Sequence, residues 1–149
     1  MTAAKTLPFS KFLMLLGDGE DPEVFAQPCA LETRGIKQSA TTQDTSSPDC
    51  TDEDAPVWVQ KMIDVLSASV SASGKLSLAD LATYQTWFSS GVAKNVRMKA
   101  DEVLANGGGY WAFAAVLTEV DVTAQSKQLA EVSLSIEATG VVTWVPAAA

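Results

Sequence analysis

The sequence predicts a mainly β protein: a β-sandwich or open barrel of about seven strands with one flanking α-helix, in a single domain spanning residues 1–149. Three observations carry this prediction. Apolar and polar residues alternate with period two, most cleanly where Val132, Leu134 and Ile136 interleave with Ser133, Ser135 and Glu137. Turn-forming pairs such as Asp18-Gly19, Ser73-Gly74 and Asn106-Gly107 punctuate these runs. Only one segment carries convincing helix signals.

Residues 12–16 read as a strand entering a Gly-Asp-Gly turn, and residues 24–27 as a short return strand stopped by Pro28. Residues 30–42 are polar and β-compatible. Residues 62–71 form another strand, with Leu66, Ala68 and Val70 on one face and Ser67, Ser69 and Ser71 on the other. Ser77 and Asp80 resemble a capping box opening a helix that Gly91 stops. Leu81, Tyr84 and Phe88 fall on one stripe of that helix, with Leu78 and Trp87 beside it. Residues 94–100 alternate with their bases outward, and the glycines at 107–109 precede a long strand over 110–122. Gly140 is expected to break the next strand, and residues 141–145 to close the fold.

Between these elements lies a polar insert. Residues 38–56 contain no large apolar side chain, and between Lys37 and Lys61 stand five acids and no base: Asp44, Asp49, Asp52, Glu53 and Asp54. A long acidic loop is therefore expected at about residues 38–57, longer than a compact domain usually carries without a purpose. Net charge is −8, of which the insert supplies five units. Such a balance gives no electrostatic reason to grip nucleic-acid phosphates, but allows DNA to pass nearby without sticking. No secretory leader or membrane-spanning stretch is read from the sequence. Cys29 and Cys50 are expected as reduced thiols.

Catalysis finds little support. Histidine is absent, which removes the commonest general base and a usual metal ligand, so catalytic residues, metal and cofactors are all expected to be none. The triple glycine lacks the Lys-Ser/Thr of a phosphate loop. The acidic clusters at residues 18–21 and 49–54 lack the ligand order of a calcium loop and read as solvated turns. Trp58, Trp87, Trp111 and Trp144 serve packing, or alternatively a carbohydrate platform in a glycan-binding β-sandwich. The serine-rich strand faces suit bulk solvent by default, and an aqueous channel more specifically. Asp64, Glu119, Asp121 and Glu137 are the candidate polar wall positions of such a channel.

The stretch KFLMLLGDG at residues 11–19, followed by PEVF at 22–25, is similar to the opening of major tail proteins. These are the tail tube subunits of long-tailed, siphovirus-like phages and of gene transfer agents. Residues 30–33 (ALET), the polar stretch, Trp58 and residues 70–74 (VSASG) follow in the same order, whereas Cys50, Pro48 and Pro56 match no motif of that family. The resemblance implies a tail-tube-like fold closing into stacked hexameric rings, with DNA transiting the lumen. It implies no cofactor, location in a phage-like particle tail, and other tail proteins (terminator, tape measure, distal tail protein) as partners. It also implies that the insert reaches the neighbouring ring through Asp44, Asp49, Asp52, Glu53, Asp54 and Trp58.

Overall fold

The computed structural model describes residues 3–148, which form seven antiparallel strands, one α-helix and two short 3-10 turns. The strands are β1 (Phe12–Gly17), β2 (Phe25–Ala26), β3 (Leu31–Asp44), β4 (Lys61–Lys75), β5 (Lys94–Ala100), β6 (Gly109–Thr123) and β7 (Glu131–Pro146). The helix α1 (Leu78–Ser90) joins β4 to β5. All strands belong to one sheet of order β2-β1-β5-β6-β7-β4-β3.

That sheet curls. Leu31 on one edge strand and Met14 and Leu16 near the other edge share a single buried cluster with Val70, Phe113 and Ile136. The Arg34 guanidinium bridges the two sides, donating to the Phe9 carbonyl at 2.8 Å and lying 4.0 Å from the Phe9 ring centre. Two irregularities in the β6–β7 pair bend the sheet. Thr118 is an extra residue on β6, and residues 140–142 of β7 stand opposite Phe113 alone. The result is the expected β-sandwich-like open barrel.

Period-two patterning places the core. Val96 and Met98 of β5 point inward while Asn95, Arg97 and Lys99 point out. Ala68, Val70 and Ala72 of β4 face the same interior as Val132, Leu134 and Ile136 of β7. Burying each large aliphatic side chain contributes about 1.5–3 kcal/mol. The four surface salt bridges among the described residues contribute at most about 1 kcal/mol apiece, so the core holds the fold.

Three sequence expectations are corrected. The helix does not bury the Leu81–Tyr84–Phe88 stripe: Tyr84 and Trp87 are its buried residues, Phe88 is half exposed and Leu78 is 81% exposed. Trp87 is also held by its indole N–H, which donates to the Val92 carbonyl at 3.1 Å beyond the left-handed Gly91. Gly140 does not end a strand. With φ of 92° it lets β7 bend and continue to Pro146. Residues 38–44 of the expected loop lie in β3, because polar Ser, Thr and Gln residues sustain a ladder when a partner strand supplies the hydrogen bonds.

The capping box is not formed either. Ser77 has extended N-cap geometry but no side-chain cap bond, and the Asp80 carboxylate instead accepts the Cys29 N–H at 2.8 Å. Asp80 therefore ties the loop before β3 to the helix. Asp80→Ala is expected to cost about 1 kcal/mol in urea unfolding, and Ser77→Ala less than about 0.5 kcal/mol. A formed capping box would give the serine change the larger cost.

Candidate functional site: a polar sheet face and a projecting arm

The sheet face turned away from the core gathers three of the expected wall residues. Cross-strand pairing sets Glu119 beside Ser135 and Asp121 beside Ser133. On the other flank of β7, Glu137 pairs with Ser69, Ser135 with Ser71, and Ser133 with Ser73. Because paired residues share a face, these serines and carboxylates form one continuous surface across β6, β7 and β4. Glu119, Asp121 and Glu137 are exposed and make no ion pair among the described residues.

Two further features of this face were not read from the sequence. Lys37 of β3 pairs with Ser69 and adds one base. Lys75 and Glu131 neutralise each other at 2.6 Å. Glu32 lines the same groove as Asp121, Ser133 and Ser73, so four carboxylates without an ion pair among the described residues stand against Lys37, a net of three negative charges per subunit on this part of the face. Asp64 does not join the group. The register slips between Thr41 and Thr42, which leaves Asp64 as the extra residue of a bulge in β4, far along the strand.

The arm begins where β4 parts from β7. Their pairing stops at Ser69 and Glu137, whereas β3 and β4 continue together to Asp44 and Lys61. Residues 38–44 and 61–68 thus form a two-stranded arm whose tip is the irregular loop 45–60. At its neck, Thr45 N–H donates to the Gln60 carbonyl at 2.9 Å, and the Ser46 hydroxyl accepts Gln60 N–H at 2.8 Å. Asp44 and Lys61 form an exposed ion pair at 2.9 Å.

Within the tip the acids shape local turns. Asp49 accepts the Thr51 N–H and hydroxyl at 2.9 and 2.8 Å, which holds its carboxyl below the usual carboxylate range. Asp52 accepts the Asp54 N–H at 3.3 Å. Asp18 does the same work in the β1–β2 turn, accepting from Glu20 and Val24, and those bonds likewise lower its pKa. In both cases the turn's stabilisation is present above the ordinary carboxylate pKa and is lost as pH falls through the depressed one. These carboxylates serve the backbone around them.

The arm is also apolar in places. Trp58 is 93% exposed, flanked by exposed Val57 and Val59, and β4 adds Met62, Ile63, Val65 and Leu66. Consecutive apolar residues at 62–63 and 65–66 could have signalled a strand with both faces destined for contact. The tryptophans form no flat glycan platform. Trp87 is buried, Trp111 and Trp144 meet edge-on at 61°, and Trp58 stands apart on the arm.

Solved tail structures share this architecture. The fold is similar to a chain in the tail of an empty gene transfer agent particle determined with C6 symmetry (TM-score 0.76, 18% identity, 94% of this chain and 99% of that chain). It is similar to a chain of the SPP1 tail tube (TM-score 0.69, 12% identity, 95% and 80% covered). It is also similar to a chain of the anti-feeding prophage baseplate (TM-score 0.64, 10% identity, 98% and 97% covered). No curated protein matches by sequence. Fold likeness at such identities does not separate phage tails from related injection devices, but the sequence family does. The model of the phage tail tube proteins matches residues 6–144, nearly the whole chain, and this protein belongs to that family as a structural subunit of a phage-like tail tube.

Proposed function

We propose that six copies of this subunit close into a ring, that rings stack into a tube, and that DNA passes along a lumen walled by the acidic, serine-rich face of β6, β7 and β4. The observation that carries this reading is the co-facial set Glu119, Asp121 and Glu137 among small hydroxyl residues. A wall with net negative charge and short side chains repels a polyanion and offers it few donors to bind, so DNA slides. The C6 symmetry of the gene transfer agent tail supports six as the copy number. Ring closure would also pair the free backbone groups of β3 and β1, which an isolated sheet leaves open.

The arm, from Asp44 through Asp49, Asp52, Glu53 and Asp54 to Trp58, reaches the adjacent ring in this reading. The chain performs no chemical step, and the tube ends meet other tail proteins. Negative-stain electron microscopy of purified protein tests the proposal. Six-fold rings and tubes of uniform bore are expected. A species that stays monomeric at high concentration, with tryptophan fluorescence quenched by sugars, would instead indicate a glycan-binding module.

A further inference from the structure

The parting of β4 from β7 leaves a groove of about 600 Å³ at the root of the arm. Leu66, Ala68, Ala138, Val141 and Val142 supply its apolar lining, and no charged residue lines it. Leu66 is 75% and Val141 81% exposed. Elsewhere on the described surface, three other grooves carry carboxylates: Asp18 and Glu23, then Glu32, Asp121 and Glu131, then Glu23 again. The first of these also carries Lys94 and the last Arg97, so the arm tip, itself acidic, is opposed most by the groove of Glu32, Asp121 and Glu131, whereas the groove at its root presents no like charge.

We propose that Trp58, with Val57 and Val59 beside it, inserts into this groove on a second copy of the chain in the adjacent ring. The inference rests on the stacking role proposed for the arm and names the surface that receives it. Trp58 cannot fill its own groove. The β3–β4 ladder holds residues 61–66 extended, roughly 17 Å of strand, and the neck bonds of Gln60 to Thr45 and Ser46 keep the tip beyond that end. A knob and a groove at different places on one chain make a heterologous contact, which propagates from copy to copy instead of closing a pair. That is the contact an open-ended stack of rings requires. A tryptophan entering an apolar pocket also has the character of an interface anchor, whereas the flanking acids contribute solubility and steering.

Two kinds of variant test this. Trp58→Ala and Val141→Asp alter exposed side chains and leave the subunit folded, with circular dichroism as the check. Each is expected to weaken ring–ring association by at least about 30-fold, the effect of losing one anchor at a single one of the six contacts between rings, while rings still form. In a Cys29→Ser, Cys50→Ser background, Trp58→Cys combined with Val141→Cys should give disulfide-linked oligomers from tubes treated with a mild oxidant, but none from dispersed subunits. Normal stacking by both single variants would overturn the proposal. So would absence of cross-links from tubes whose stacking still depends on the arm, since the arm would then dock elsewhere and its stacking role would stand. If an armless variant stacks normally, the docking and the stacking role fall together.

Discussion

Replacing residues 45–60 by Asn-Gly is expected to yield folded subunits that close into rings but do not stack. Asp44 and Lys61 are the last register partners of the β3–β4 ladder and already form an ion pair. Two residues of this type close such a pair in a type I′ hairpin. The hydrogen bonds lost are the tip's own turns and its neck, including Thr51 to Asp49 and Gln60 to Ser46. No core side chain is touched. The melting midpoint should therefore stay within about 2 °C of the parent, or rise slightly as loop-closure entropy falls. Stacking should drop by at least about 30-fold, because Trp58 and its neighbours go with the loop. Electron microscopy would show isolated rings in place of tubes. Tubes of normal length from this variant would reduce the arm to a solvated loop.

How far the arm was legible follows from its residues. Composition marked residues 38–56 as anomalous, since five acids without a base and no large apolar side chain do not build a core. Residues 30–42 read as β-compatible, but composition could not show that residues 38–44 are paired strand and not loop. Ser39, Thr41 and Thr42 adopt β structure because β4 stands opposite them, and that pairing is a non-local fact. The same limit explains the helix. Spacing alone allows the buried stripe to run through Leu81 and Phe88 or through Tyr84 and Trp87. The orientation of α1 on β6 selects the second.

Alternation served better where neighbours on both sides shared its period. The faces of β7 and of β4 at Ala68 and Val70 emerged as read, because a half-buried strand must send every second residue inward, whereas Leu66, expected on the same face, lies beyond the core and is 75% exposed. A bulge at Asp64 interrupts the period and sets that residue apart from the other expected wall positions, and at Gly140 a positive φ bends the strand without ending it. Local sequence does not encode which partner slips in register.

The face itself supplies the other large expected effect. Changing Glu119, Asp121 and Glu137 to lysine converts three negative charges per subunit to three positive ones on the surface proposed to line the lumen. All three are exposed at the outward side of paired strands, so each change should shift stability by less than about 0.5 kcal/mol and tubes should still assemble. The parent tube should hold short duplex DNA only weakly, because on β6, β7 and β4 its wall carries carboxylates, with Lys37 of β3 and Arg97 of β5 as flanking bases. The triple variant should retain DNA at about 50 mM salt and release it near 200 mM. If six phosphates are contacted, affinity falls about 10³-fold between those limits through counterion release. Nuclease protection tells the surfaces apart. DNA inside the bore is shielded, whereas DNA bound to an outward-facing strip is digested. Retained and protected DNA places these carboxylates on the wall; retained but digested DNA places the face outside the tube, and the sliding surface would then have to be sought elsewhere on the subunit.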